Sequence, residues 1–318
     1  MILLITRKDD IHADLVVKNL VELKAKFFRL NTDYLSDYEI SLSLNSGYIR
    51  HPVTKRSVNL SEVKSIWIRR RSLPEKIKDV KEEFRSFCEE EWLRFYQNIW
   101  SVLEDRFWIS PPYAIDATRS KMKQLIIARD IGFLVPETII TNSIDEVIEL
   151  QRKFSVCIYK PHDGGALSTG SDQMIYTNII DTILEKSEEL TESLKICPGI
   201  FQPYIEKDYE LRINVVGNKV FAAKIDSQKS DKTRIDWRRY DFKNVPHSIY
   251  HLPPEEENKC ISLLEKLGLQ FGAIDMIVTS AKKYIFLEIN ANGQWAWIQL
   301  LTKQLISFEI ARLLAIHA

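Results

Sequence analysis

The sequence predicts an α/β (α+β) chain in three units: an N-terminal α/β domain over residues 1–115, a central α/β domain over 116–198, and a C-terminal, mainly antiparallel sheet domain over 199–318. Three observations carry this. An apolar run at residues 1–6, followed by a helical stripe, opens a βα unit. Pro111-Pro112 closes the first pattern, because proline lacks an amide donor and restricts the residue before it. From Gly199 onward, short strands alternate with turn signals.

In chain order, residues 13–28 read as a helix with Leu15, Val16, Leu20 and Leu23 on one face. Residues 63–68 form a second apolar run that ends in Arg69-Arg70-Arg71. Residues 80–103 read as a long amphipathic helix carrying Phe84, Phe87, Trp92, Phe95 and Trp100, and residues 107–110 as the last strand of the first unit. A helix over 117–131 stops at Gly132, followed by a strand at 138–141, a helix at 144–154 and a strand at 156–160. The third unit has strands at 200–205, 209–216, 219–226, 271–278 and 284–289, with Gly217-Asn218 as a turn and helices over 254–267 and 303–316 as cover.

Lys plus Arg and Asp plus Glu both number 44, so no global field draws the chain to nucleic acid or a membrane. The aromatic stripe of the long helix has the spacing of packing or a subunit contact, which again excludes base stacking. Cys88, Cys157, Cys197 and Cys260 lie far apart with no CxxC pair, as reduced thiols do. No apolar run reaches transmembrane length, and the start is too short for a signal-peptide core. The expectation is a soluble cytoplasmic protein. The histidines show no metalloprotease or triad spacing.

Three segments bear chemistry. In Phe286-Leu287-Glu288-Ile289-Asn290, period-two alternation turns Glu288 and Asn290 to one side and Leu287 and Ile289 to the core. Asp275, in the apolar strand 272–276, joins them if the strands pair as a hairpin. Such oxygen donors suit magnesium with nucleotide phosphates, although the segment alone also reads as solvated strand residues. Second, Lys160 ends a strand before a glycine-rich loop containing Gly164 and Gly165, where amides and an ammonium can meet phosphate oxygens; alone it also reads as a turn. Third, Gln202-Pro203-Tyr204-Ile205 reads as a hinge for an adenine edge, with Glu210 near ribose hydroxyls and Arg212 near a phosphate. A charged hairpin is the plainer reading of that stretch.

These segments, in this order and spacing, resemble the ATP-grasp superfamily over residues 110–318. The resemblance implies an ATP-grasp fold behind an N-terminal pre-ATP-grasp domain, with ATP and Mg2+ as cofactors. It assigns Lys121 and Lys160 as the nucleotide-binding lysines, Gln202, Pro203, Tyr204 and Ile205 as the hinge, Glu210 as the ribose acid with Asp208 as its competitor, and Asp275, Glu288 and Asn290 as the metal set. Gln202 stands where many relatives carry glutamate.

Within the superfamily the chain is similar to the graspetide ligases of microviridin-type biosynthesis, through Trp67-Ile68-Arg69-Arg70-Arg71, Asp236-Trp237-Arg238 and Asn290-Ala291-Asn292-Gly293-Gln294-Trp295. Ala291 stands where many of them carry proline. That likeness implies ATP-dependent joining of Asp or Glu side chains to Thr, Ser or Lys side chains of a ribosomal precursor peptide with a leader and a Thr/Glu-rich core. It also implies a leader docked on the central domain, and a homodimer.

Phosphoryl transfer to a carboxylate needs positioning and charge neutralisation. Arg212 follows Glu210 at the strand period and faces the nucleotide with it. Lys224 and Asp226 are expected on that same side, Lys224 as a phosphate contact and Asp226 as a base or metal-orienting group, and Arg234 in the polar loop as a clamp for acid or phosphate; a solvated loop arginine is the other reading of Arg234. Arg69-Arg70-Arg71 reads as a surface run or, facing the cleft, as a site for acidic peptide or phosphate. Two other functions fit the same residues: a RimK-like or dipeptide ligase, and a non-catalytic ATP-sensing module.

Overall fold

The computed structural model of the chain describes residues 1–44, 46–162, 176–180 and 187–318. Gly164 and Gly165, with the rest of the expected phosphate loop, lie outside the described residues. Strands and helices are numbered below in chain order.

The first sheet is parallel, in the order β2 (Phe27–Asn31), β1 (Ile2–Thr6), β6 (Ser65–Ile68), β7 (Phe107–Ile109). Both faces of β1 are covered, which is why it reads as an unbroken apolar run. Ile2 and Leu4 pack with α1 (Ile11–Glu22) and α9 (Ile306–Ile316). Leu3 and Ile5 pack towards α2 (Glu82–Val102), through Tyr96 and Ile99. A small antiparallel sheet of β3 (Glu39–Leu42), β4 (Gly47–Arg50) and β5 (Ser57–Asn59) flanks it; its strands are short and weakly apolar, and sequence periodicity misses them.

The expected helix over 13–28 is shorter. Asp10 caps it by accepting from the His12 amide, it ends at Glu22, and Lys24 turns at φ 54° so that Phe27 and Phe28 enter β2. Leu23 is consequently exposed. Pro112 starts α3 (Pro112–Ala117) as well as stopping the previous strand, since a first-turn amide has no helical partner to lose. Ser120 then caps α4 (Lys121–Ile131), which ends at Gly132 with φ 101°. Ala114, Leu125 and Ala128 of these helices pack in the core of the C-terminal sheet.

The central sheet runs β10 (Asn178–Ile180), β9 (Cys157–Lys160), β11 (Gly199–Pro203), β8 (Ile139–Thr141), all antiparallel, with α5 (Ile144–Phe154) and α6 (Ser187–Ile196) against it. The strand at 200–205, expected in the third unit, is therefore β11 and belongs to the central sheet. The C-terminal sheet is β14 (His247–Tyr250), β13 (Lys219–Ile225), β12 (Tyr209–Val216), β15 (Phe271–Val278), β16 (Tyr284–Asn290), antiparallel throughout. One face carries α4 and α7 (Pro254–Leu267), and the other meets α8 (Ala296–Thr302) and α9. Lys303, at φ 61°, ends α8, so the last helix begins three residues later than periodicity suggests. The four cysteines are free. Among the described residues no helix is long and apolar enough to cross a membrane.

Candidate functional site

A cleft of about 740 Å3 opens between the central and C-terminal sheets. Its walls come from the start of α4, the ends of β9 and β11, the 204–207 segment, and the cleft-facing sides of β12, β15 and β16. Strand register decides which side chains reach it. Asp275 lies opposite Glu288, but Met276 lies opposite Phe286, so Leu287 is an extra residue on β16. A bulge of this kind re-aims side chains locally. Phe286 and Ile289 stay in the core, while Leu287 and Glu288 both line the cleft. The expectation that Leu287 faces the core is corrected by that bulge.

Asp275, Glu288 and Asn290 come together on neighbouring strands, and Asn290 Nδ2 donates to Glu288 Oε1 at 3.3 Å. Cations surround them. Lys121 Nζ lies 2.6 Å from Glu288 Oε2, and Arg238 Nη1 lies 3.9 Å from Glu288 Oε1. Arg212 Nη1 donates to both Asp275 oxygens, at 2.9 and 2.8 Å. Burial pushes the Glu288 carboxyl up, but Lys121, Arg238 and Lys160 outweigh it and hold Glu288 well below the usual carboxylate range. For Asp275 burial wins over Arg212, and the carboxyl is raised. Burial lowers the Lys160 ammonium to about 8 against the pull of Glu288.

This donor set fits Mg2+. Magnesium takes one or two carboxylates and completes its octahedron with water and phosphate oxygens, whereas a closed protein cage would need more ligands. Two carboxylates and one amide oxygen are present, and among the described residues no cluster of three or more His, Cys, Asp or Glu competes.

Glu210 is buried in the cleft and pairs with Lys207 at 2.8 Å; burial raises its carboxyl despite that partner. Asp208, its competitor, points elsewhere, to Lys282 at 3.1 Å, and does not line the cleft. Gln202, Pro203, Tyr204 and Ile205 line it as expected. Gln202 Nε2 donates to Thr138 Oγ1 at 2.9 Å, and the Tyr204 amide donates to the Val156 carbonyl at 2.9 Å.

Two expectations are corrected. Lys224 lies opposite Leu211 on β12, a core residue, whereas Arg212 lies opposite Ala223. Directly opposed residues share a face, so Lys224 is on the side of the sheet away from Arg212, paired with Asp226 at 2.6 Å. Arg234 is exposed, pairs with Asp231 at 2.6 Å and does not line the cleft. The arginine that does is Arg238, which Asp236 holds at 2.6 Å. The Asp236-Trp237-Arg238 motif was its signal in the sequence.

The first domain completes the site. The Arg69 side chain is buried and donates to the Asn292 carbonyl at 2.7 Å, and burial lowers it to about 10. The Trp295 amide donates to His12 Nε2 at 3.2 Å, and His12 Nδ1 lies 3.1 Å from Asp10 Oδ1. Arg212 Nη2 donates to the Gln294 carbonyl at 3.0 Å. The loop after β16 is thus pinned from both sides.

Comparison with known proteins agrees with this geometry. The family model described as MvdD pre-ATP grasp domain matches residues 1–116, and the RimK-like ATP-grasp domain matches residues 171–314. Macrocyclase MdnC from Microcystis aeruginosa MRC, in a crystal structure bound with precursor peptide MdnA, is 31% identical over 99% of each chain, with a TM-score of 0.86. The chain belongs to the ATP-grasp ligases. A second member, a RiPP-associated ATP-grasp ligase from Chryseobacterium gregarium in complex with ADP and a leader and core peptide, is 30% identical over 100% of this chain and 97% of that one, with a TM-score of 0.88. Macrocyclase MdnB from Microcystis aeruginosa MRC is 26% identical over 98% of each chain, with a TM-score of 0.78. No curated protein matches the sequence. Within this ATP-grasp ligase, the pre-ATP-grasp match ends inside α3, whose Ala114 packs in the core of the C-terminal sheet.

Proposed function

We propose that this ATP-grasp ligase uses ATP and Mg2+ to activate Asp or Glu side chains of a ribosomal precursor peptide as acyl phosphates, and joins them to Thr, Ser or Lys side chains as macrocyclic esters or amides. The observation that carries the reading is the Asp275, Glu288 and Asn290 set, ringed by Lys121, Arg212 and Arg238 in one cleft. The whole-chain likeness to two peptide-bound relatives supports the peptide as substrate.

In this reading residues 202–205 hold adenine, with Ile205 supplying the amide because that of Tyr204 is bonded to Val156. Glu210 takes the ribose hydroxyls, and Lys121 and Lys160 the phosphates. Asp275, Glu288 and Asn290 hold Mg2+, which when bound draws charge from the transferring phosphoryl group. Arg212 and Arg238 neutralise the carboxylate and the acyl phosphate, so that attack by a hydroxyl or amine expels phosphate. Lys224 and Arg234 take no part. We also place the protein in the cytoplasm, given its free thiols, and as a homodimer through α2, which exposes Phe84 and Phe87.

The test is intact-peptide mass spectrometry with ATP, Mg2+ and Thr/Glu-rich precursor peptides. ATP-dependent loss of whole waters, abolished by Glu288→Gln, is expected. The RimK-like match to residues 171–314 favours one other reading, an amino-acid ligase. ADP release with free amino acids and no water loss from any peptide would establish that reading instead.

A further inference from the structure

The arginine run fans out: Arg69 is buried against the 292–295 loop, Arg70 lines the cleft, and Arg71 lines a second cavity of about 600 Å3. Helix α3 is the wall between the two. Ile115, together with Thr118 and Arg119 just beyond the helix, lines the cleft, and Pro112, Tyr113 and Asp116 line the second cavity. Asp116 joins them, lying 3.6 Å from Arg71 and 3.5 Å from Arg119. A six-residue helix is about 9 Å long, a distance that about three extended residues span.

We propose that this second cavity binds the same peptide substrate, taking a neutral segment that flanks the reacting residues and seats an apolar side chain against Leu93, Trp100 and Tyr113. The inference rests on the peptide-ligase reading. Leu93 and Tyr113 are 46% and 70% exposed, and a side chain covering them removes apolar surface from water. Trp100 also lines the cavity and extends that apolar wall with its ring. Three arginines and three carboxylates line the cavity, so it selects neither a phosphate nor the acidic core, which the cationic main cleft receives. Binding a flank here holds the peptide in register while its carboxylates are processed one after another.

The probe is a pool of synthetic Thr/Glu-rich peptides, each made with and without a leucine-bearing flank, assayed on the full chain by water loss and ADP release. Leu93→Arg and Tyr113→Ala are expected to raise KM for flanked peptides about tenfold, while kcat, and KM for flankless peptides, stay at wild-type values. Wild-type KM for flanked peptides in both variants overturns the second site. Leu93→Arg that changes only the protein's mass in solution also overturns it, and assigns the cavity to a second copy of the chain. A wild-type enzyme that converts no peptide but releases ADP with free amino acids overturns the peptide-ligase reading itself, and this site with it.

Discussion

Gly293→Ala tests how tightly the loop after β16 must lie. A Cβ at residue 293 would sit 2.4 Å from Ala273 Cβ, 2.7 Å from Arg212 Nη2 and 3.2 Å from Asn290 Cβ. Ala273 cannot swing aside, because its methyl is fixed to the paired strand β15 opposite Asn290. Ordinary contact begins near 3.4 Å, so the loop has to withdraw by about 1 Å, or the strand has to yield. Overpacking of this kind costs about 1–3 kcal/mol. The catalytic loss is expected to exceed the stability loss, because the same loop offers Arg212 the Gln294 carbonyl, and a displacement of about 1 Å costs on the order of 100-fold in rate. Urea unfolding measures the first effect and ADP release the second. Wild-type ADP release by Gly293→Ala would refute the packing argument.

Other perturbations have equally defined outcomes. Arg212→Met leaves the buried Asp275 carboxylate without its partner and is expected to lower stability by about 3–5 kcal/mol, read by urea unfolding, and to abolish ligation. Arg238→Ala is expected to depress ADP release severely while Arg234→Ala leaves it near wild type; equal effects would return Arg234 to the site. His12 accepts from the Trp295 amide and is therefore neutral, with a pKa that burial lowers in spite of Asp10, and with Arg69 and Arg70 also disfavouring its charged form. Its contribution to stability is full above the unfolded value near 6.5 and is lost as pH falls through the lower folded value, while Asp10 stays ionised. The urea midpoint should fall more steeply between about pH 7 and 5 for wild type than for His12→Gln.

Much of the site was legible because burying charge is costly: Asp275 and Glu288 stand out in strands of Ile, Val and Phe, and the structure brings them together. What was not legible depends on pairing. The bulge that turns Leu287 into the cleft exists only between β15 and β16, and the register that turns Lys224 away only between β12 and β13. Likewise Asp208 and Glu210 differ by one period on the same segment, and only the position of Lys282 and Lys207 separates them. The run 13–28 shows the converse: its apolar residues suit a helix throughout, but the left-handed turn at Lys24 divides helix from strand. His12 had no signal as a site residue, and the run Arg69-Arg70-Arg71 did not show which arginine is buried, because the partners of His12 and Arg69 are backbone groups more than 200 residues away.

In the proposed reaction this cleft couples ATP cleavage to bond formation in a peptide. The most direct measurement counts ADP and lost water in the same reaction of the full chain with ATP, Mg2+ and a Thr/Glu-rich precursor peptide. One ADP is expected for each water lost, and neither with Glu288→Gln. ADP released without any water leaving the peptide, or water lost without ADP, would contradict it.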